Sequence, residues 1–157
     1  MIEIYTDGST LKNGAKDAEG GFGVVVIKDG KIIKAHSARC SATTNNREEM
    51  KAIIWAAYMY GDYSPTPVVY SDSSYSVNSF NQWMNNWKAN GWKKADKKTP
   101  ENLDLIKLYD IIKNKQNKKI DLRYIKGHAG HIGNELADRL ATGQIKPEDI
   151  EGRELIG

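Results

Sequence analysis

The sequence predicts an α/β protein with a mixed five-stranded sheet and helices on both of its faces. Five short segments have the alternating or continuous apolar pattern of strands, and longer segments between them have helical periodicity. Their order is three strands, a helix, a strand, several helices, a strand and a final helix. Since no internal repeat and no linker interrupts this order, the helices are expected to cover a single sheet.

The first three predicted strands form an antiparallel meander. Residues 1–7 alternate between apolar and polar side chains, and residues 20–27 form a second, mostly apolar run. The pair Asp29 and Gly30 is typical of a two-residue hairpin turn, which leads into a third strand at 31–35. Connections this short favour neighbouring strands that run in opposite directions.

Helical periodicity begins at Asn45, and Gly61 is expected to end this helix. Asn45 or Asn46 is expected to cap its beginning. The rest of the chain predicts, in order, a buried strand at 68–70, a helix from 73 to 80, a helix at 102–113, a strand at 120–125 and a helix at 134–142.

Composition predicts one soluble domain. The 157 residues are 39% hydrophobic and 27% charged, with a net charge of +3, which excludes a membrane-embedded or fibrous protein. Cys40 is the only cysteine, so no intramolecular disulfide can form. The first residues show neither a signal peptide nor a membrane span, so a cytoplasmic location is expected. We expect a domain at 1–142 and a loosely held polar tail at 143–157.

Acidic residues end two predicted strands and lie on two predicted helices. Asp7 follows the first strand, Asp72 follows the fourth, and Glu49 shares a helical face with Ile53. Asp138 lies on the last helix. Each residue alone is explained by a turn, a helix cap or a surface ion pair. Four converging carboxylates, however, offer the oxygen ligands that Mg²⁺ requires, and they can hold two ions.

Four segments of the chain, in order, resemble those of type 1 ribonucleases H. The segments are YTDGS at 5–9, TNNREE at 44–49, YSDS at 70–73 and GHAGHIGNELAD at 127–138. The resemblance covers about residues 1–142 and implies a ribonuclease H-like fold. It implies that the metal ligands are Asp7, Glu49, Asp72 and Asp138. Glu48, beside the second of these ligands, is expected to face solvent.

The resemblance also implies an activity. It predicts an endonuclease that hydrolyses the RNA strand of RNA–DNA hybrids by two-metal-ion catalysis, leaving 5′-phosphate and 3′-hydroxyl ends. The implied cofactor is a pair of Mg²⁺ ions, with Mn²⁺ as a substitute, and the implied state is a monomer without an obligate protein partner. His128 corresponds to a loop histidine that assists proton handling or product release, helped by Glu135.

Several polar residues match the family's substrate contacts. The resemblance implies that four asparagines contact the RNA strand, or lie beside it, near the metals: Asn13, Asn45, Asn46 and Asn134. Thr44 and Asn102 match positions that bind a phosphate of the DNA strand. The family often has an arginine two residues before this threonine, where the present chain has Ala42. The pocket is therefore weaker, or another basic residue supplies the charge.

Residues 82–98 combine tryptophans with lysines. Such a pattern can be a solvated lysine face above core tryptophans, but aromatic and cationic side chains together also suit a nucleic-acid backbone. The segment resembles the basic protrusion, or handle, of bacterial type 1 enzymes. The resemblance implies that the DNA strand is contacted by Tyr75, Trp83, Trp87, Lys88, Lys93 and Lys94, whereas Trp92 anchors the handle.

Two other functions are compatible with parts of this pattern. A DNA nuclease of the same fold would use similar acidic ligands, but the asparagines and the handle favour a hybrid substrate. A non-catalytic module that binds hybrids would have no use for four metal ligands. Hydrolysis of hybrids is therefore the expected function.

Overall fold

The computed structural model describes residues 1–155, in which five strands form one mixed sheet. The elements are β1 (Ile2–Thr10), β2 (Gly20–Lys28), β3 (Lys31–Cys40), α1 (Asn45–Tyr60), β4 (Val68–Ser71), α2 (Ser74–Asn78), a π-helical turn (Ser79–Trp83), α3 (Met84–Ala89), α4 (Leu103–Asn114), β5 (Asp121–Tyr124), α5 (Ile132–Thr142) and α6 (Pro147–Ile150).

The strand order in the sheet is β3-β2-β1-β4-β5. The first three strands pair antiparallel, and β4 and β5 extend the sheet in parallel with β1. The predicted fold class and meander are therefore confirmed. The hairpin turn is also confirmed, because Asp29 and Gly30 have φ angles of 52° and 73°, the left-handed conformations that a type I′ turn requires.

Two apolar clusters bury the two faces of the sheet. The larger cluster packs α1, α2 and α4 against one face, with Ile4, Ile53 and Ile106 fully buried. The smaller cluster packs α5 and α6 against the other face, around Ile32 and Leu140. Because both faces are covered, β2 is almost entirely apolar and buried along its length.

Helix α1 begins and ends where the periodicity predicts, but its capping residue differs. The N-cap is Thr44, whose Oγ1 accepts a hydrogen bond from the Arg47 N–H at 3.2 Å. The expectation that Asn45 or Asn46 caps the helix is wrong. Asn45 Oδ1 instead accepts the Thr10 N–H at 2.8 Å and so ties the helix to β1.

The expectation of a loosely held tail is wrong for the described residues after 143. Ile150 is 1% exposed and belongs to the smaller apolar cluster. Backbone hydrogen bonds join Arg153 and Leu155 to the β2–β3 hairpin, from Ile32 N to Arg153 O at 2.9 Å and from Leu155 N to Gly30 O at 2.7 Å. These bonds satisfy part of the exposed edge of β3, a long-range pairing that the polar sequence of the tail does not reveal.

Within residues 1–155, no helix combines the length and the apolar character needed to cross a membrane. The longest helix, α1, has 16 residues and carries charged side chains.

The buried position of Ile150 predicts that Ile150→Ala destabilises the fold. The substitution removes buried methyl groups and leaves a cavity, so we expect a loss of about 2 to 5 kcal/mol in the free energy of unfolding, measured by urea titration. Met59→Ala is the control, because Met59 is 38% exposed. Equal, small effects of the two substitutions would contradict the docking of the tail.

Candidate active site

Two adjacent parallel strands deliver carboxylates to the same edge of the sheet. Thr6 of β1 and Ser71 of β4 are register partners, so the residues that follow them, Asp7 and Asp72, emerge side by side. The expectation that the first strand ends at Asp7 is wrong, because β1 continues to Thr10 through its pairing with β2. Glu49 reaches the same point from the first turns of α1. One carboxylate oxygen from each of these three residues lies within 4.8 Å of the others.

Glycines allow the backbone to approach this cluster closely. A Cβ atom on Gly8 would lie 2.2 Å from the Glu49 backbone nitrogen, so β1 and α1 can meet only if residue 8 has no side chain. A Cβ atom on Gly127 would lie 2.7 Å from Asp72 Oδ2. Both glycines therefore belong to the construction of the site.

Asp138, the fourth predicted ligand, is brought near the cluster by α5. It is half-buried and is not part of the mutually close group of three. Its negative charge nevertheless contributes to the raised pKa of Asp7. The structure thus brings three of the predicted carboxylates together and leaves Asp138 beside them.

Burial and mutual repulsion disfavour the charged forms of these carboxylates. Burial, followed by the charges of Asp72 and Asp138, raises the pKa of Asp7 to about 7, although hydrogen bonds from Glu49 and the Gly8 N–H act in the opposite direction. Burial, followed by the charge of Asp7, raises the pKa of Glu49 well above its ordinary value. Glu49 is 9% exposed, and its Oε2 has no hydrogen-bond partner within residues 1–155.

This donor set fits a divalent cation. It consists only of carboxylate oxygens, which suit hard cations such as Mg²⁺ and Mn²⁺. In the described part of the chain, no lysine or arginine forms an ion pair with Asp7, Glu49 or Asp72. A bound cation would compensate the buried charge and would give Glu49 Oε2 a partner.

One residue of the last motif, Asn134, lies beside Asp72. Asn134 is 3% exposed, and its Nδ2 lies 3.4 Å from Asp72 Oδ2, so this amide is directed at the carboxylate. His128 is exposed on the loop before α5 and has a φ of 55°. Glu135 is exposed on the first turn of α5.

A polar groove brings the predicted strand-contacting residues together. A cavity of about 570 Å³ is lined by Asn13, Gly14, Thr44, Asn45, Asn46, Glu101 and Asn102. None of these residues is basic, so no lining residue supplies the charge missing at Ala42. The nearby Arg47 forms two hydrogen bonds with Asp104, at 3.0 and 2.7 Å, and a third with Asn102 Oδ1 at 3.3 Å.

The handle presents a row of aromatic side chains. The ring centroids of Tyr75 and Trp83 are 6.2 Å apart, and those of Trp83 and Trp87 are 5.9 Å apart. The π-helical turn lies between Tyr75 and Trp87, and such widened turns are frequent at functional sites. Trp92 packs against the larger apolar cluster, with Lys107 Nζ 5.6 Å from its ring centroid, in agreement with an anchoring role.

The lysines of the handle differ in their partners. Lys88 Nζ forms an ion pair with Asp110 at 3.1 Å. Lys93 is exposed, and its Nζ donates a hydrogen bond to Thr99 Oγ1 at 2.9 Å. Lys94 is half-buried. The charge of Lys88 is therefore largely compensated within the fold, whereas Lys93 has only an uncharged partner.

The sequence interpretation missed Glu48. The expectation that this residue faces solvent is wrong, because Glu48 is 1% exposed. Its Oε2 accepts a hydrogen bond from Thr43 Oγ1 at 2.6 Å and pairs with Lys51 Nζ at 2.8 Å. The lysine three residues further along the helix is the sequence signal that could have indicated a paired glutamate.

The fold and the carboxylate cluster together define an α/β protein with an acidic metal-binding centre, and comparisons with known proteins agree. A family model described as RNase H matches residues 1–146. A ribonuclease HI of Vibrio vulnificus is 43% identical over 142 residues, which cover 90% of this chain and 86% of the relative.

Solved structures give the same result. LC9-RNase H1, a type 1 RNase H with the type 2 active-site motif, superposes with a TM-score of 0.74 at 32% identity, over 90% of this chain and 70% of that chain. A foamy viral protease-reverse transcriptase in complex with RNA/DNA hybrid shares the fold, with a TM-score of 0.79 at 24% identity, over 90% of this chain and 19% of that chain. The present chain belongs to the ribonuclease H family, in its type 1 branch.

The raised pKa values predict a pH-dependent stability in the absence of metal. Because the folded protein binds the Asp7 proton more tightly than the unfolded chain does, this contribution is full below the ordinary pKa of 3.8 and is lost as the pH rises through about 7. We expect urea unfolding in EDTA to show a decline on the order of a few kcal/mol over this range.

Asp7→Asn should flatten this decline, and adding Mg²⁺ to the wild-type protein should reverse it near pH 7. Asp104→Asn is the control, because the hydrogen bond from Arg47 lowers the pKa of Asp104. An unchanged decline in Asp7→Asn would show that the titration of Asp7 is not its cause.

Proposed function

We propose that this ribonuclease H is an endonuclease that hydrolyses the RNA strand of RNA–DNA hybrids and leaves 5′-phosphate and 3′-hydroxyl ends. The observation that carries the proposal is the oxygen-only cluster of Asp7, Glu49 and Asp72, which β1, α1 and the end of β4 bring together in a chain of this family. Buried carboxylates without a cationic partner are poorly explained as structural groups, because their burial costs free energy and no lysine or arginine among residues 1–155 forms an ion pair with them.

The proposed cofactor is a pair of Mg²⁺ ions, for which Mn²⁺ can substitute. Asp7, Glu49 and Asp72 would hold the ions, and Asp138 would complete the ligand set from α5. A pair of divalent cations supplies activation of the attacking water and neutralisation of charge on the leaving oxygen. Asn134, which lies 3.4 Å from Asp72 Oδ2, would orient this carboxylate.

His128 and Glu135 are proposed to act on protons and product at the edge of the site. Both residues are exposed, His128 in the loop before α5 and Glu135 in the first turn of this helix. A histidine can exchange protons near neutral pH, and a nearby carboxylate can orient it. The proposal is supported by the neighbour of His128, Gly127, on which a Cβ atom would lie 2.7 Å from Asp72 Oδ2.

Recognition of the hybrid is proposed to use two different surfaces. The amide-lined groove at Asn13, Asn45 and Asn46 offers donors and acceptors to 2′-hydroxyl groups, which distinguish RNA from DNA. Thr44 and Asn102, which line the same groove, would bind a DNA phosphate through uncharged groups. The handle would follow the DNA strand with the aromatic row and with Lys88, Lys93 and Lys94.

We further propose that residues 1–142 are the catalytic domain, with the handle at 82–98, and that residues 143–157 are a C-terminal tail. The protein is proposed to act as a monomer in the cytoplasm. The tail contributes Ile150 to the apolar cluster beside α5, so it would support the catalytic domain from the face opposite to α1.

The proposed function predicts that Mg²⁺ and the protein cut the RNA strand of an end-labelled hybrid and leave duplex DNA and duplex RNA intact. Asp7→Asn removes a charged metal ligand and should reduce kcat by at least about 100-fold. Gel electrophoresis of the labelled strands measures both results. Cutting of duplex DNA would favour a DNA nuclease of the same fold, and hybrid binding without cutting would favour a binding module.

The handle predicts a salt-dependent contribution to affinity. Lys93→Ala with Lys94→Ala should weaken hybrid binding most at low salt and should reduce the slope of log K against log salt by about 2, because two phosphate contacts are lost. Fluorescence anisotropy over a range of salt concentrations measures this slope. Lys115→Ala, an exposed lysine outside the handle, is the control, and an unchanged slope in the double variant would exclude the proposed contacts.

A further inference from the structure

We propose that Glu48 is a positioning residue for the catalytic centre: anchored by Thr43 and Lys51, it fixes the first turn of α1 and so holds Glu49 against Asp7 and Asp72. The inference rests on the proposed function, because it assigns a metal-binding role to Glu49. It concerns a residue that contacts neither the carboxylate cluster nor the groove.

The contacts of Glu48 are directed away from the cluster. Its Oε2 accepts a hydrogen bond from the Thr43 hydroxyl at 2.6 Å and forms an ion pair with Lys51 Nζ at 2.8 Å. The Cys40 sulfur lies 3.5 Å from the same oxygen and 3.3 Å from Lys51 Nζ. One buried carboxylate therefore joins the end of β3, the loop before α1 and the second turn of the helix.

Thr43, the partner of Glu48 in the loop before α1, is itself held in place. Thr43 is 4% exposed, and its N–H donates a hydrogen bond to Ala18 O at 3.2 Å. The next residue, Thr44, caps the helix through the Arg47 N–H at 3.2 Å. The Thr43 hydroxyl thus offers Glu48 a partner that the rest of the fold holds in place.

The peptide that joins Glu48 to Glu49 lies directly against β1. A Cβ atom on Gly8 would be 2.3 Å from the Glu48 carbonyl carbon and 2.2 Å from the Glu49 nitrogen. Gly8 follows Asp7, so the distance between the two catalytic carboxylates depends on this backbone contact. A turn of α1 that moved away from Gly8 would carry Glu49 with it.

The Glu49 carboxyl group has hydrogen bonds to Asp7 and to the Gly8 backbone, both on β1, and they involve one of its two oxygens. Its Oε2 has no hydrogen-bond partner in the described part of the chain. Its position before metal binds therefore depends on its contacts with β1 and on the backbone that carries it. Glu48 and Glu49 are adjacent in sequence but have different roles. Glu48 pairs with Lys51 and fixes the first turn of α1, whereas Glu49 is available to bind the cation.

The test compares Glu48→Ala with Glu48→Gln and Thr43→Val. Mn²⁺ binding to the free protein is measured by calorimetry without substrate, the melting temperature is measured in EDTA, and kcat and KM are measured on the hybrid. Glu48→Ala and Thr43→Val should each weaken Mn²⁺ binding about tenfold, the effect typical of groups that orient a metal ligand. kcat at limiting metal should fall in parallel, with KM unchanged.

Glu48→Gln keeps an oxygen that can accept the Thr43 hydroxyl, so it should recover most of the lost Mn²⁺ affinity. Asp110→Ala is the matched control: Asp110 is also buried in a helix and paired with a lysine, but it lies outside the carboxylate cluster. It should lower the melting temperature without weakening Mn²⁺ binding.

Three results would overturn the inference: wild-type Mn²⁺ affinity in Glu48→Ala, equal losses in Glu48→Ala and Asp110→Ala, or no recovery in Glu48→Gln. If Glu48→Ala does not fold, Thr43→Val decides by the same measurements. A wild-type protein that binds Mn²⁺ but does not cut the hybrid would contradict the proposed function and leave this comparison intact.

Discussion

The parallel pairing of β1 with β4 is the constraint on which the site depends. It places Asp7 and Asp72 at one level of the sheet, where two carboxylates repel each other and lose hydration. The close approach at Gly8 then adds Glu49 to the same point. A fold that concentrates buried negative charge in this way is less stable without a cation. Because a bound cation relieves this repulsion, the same arrangement increases the affinity for metal.

Buried carboxylates of two kinds occur in this protein, and their partners distinguish them. Glu48 and Asp110 are each paired with a lysine, at 2.8 and 3.1 Å, and they join elements of the fold. Asp7 and Glu49 have no cationic partner within residues 1–155, and burial raises the pKa of both. Burial of a carboxylate therefore does not by itself identify a metal ligand. A buried carboxylate that has no lysine or arginine partner is a much stronger candidate.

The proposed substrate surfaces also differ in their physical basis. The groove beside the cluster is lined by amides, a hydroxyl and one carboxylate, so it would select through hydrogen-bond geometry. The handle combines Trp83 and Trp87, whose rings are neighbours, with lysines, so it would supply affinity that salt weakens. Because no basic residue lines the groove, the lysines of the handle would provide most of the attraction to phosphates.

The sequence by itself determined the order of the elements, the position of Asp72 directly after its strand, and the helical phase of Glu49, because these follow from local periodicity; the continuation of β1 past Asp7 depends on its pairing with β2. Only the tertiary structure decided what depends on long-range contacts. It buried Glu48 against Thr43, made Thr44 the helix cap, paired Lys88 with Asp110, and docked the polar tail through Ile150. Lys88 and Ile150 meet partners that are distant in sequence, whereas the burial of Glu48 and the choice of Thr44 as the cap depend on how the loop before α1 is held against Cys40 and Ala18; local patterns record neither kind of contact.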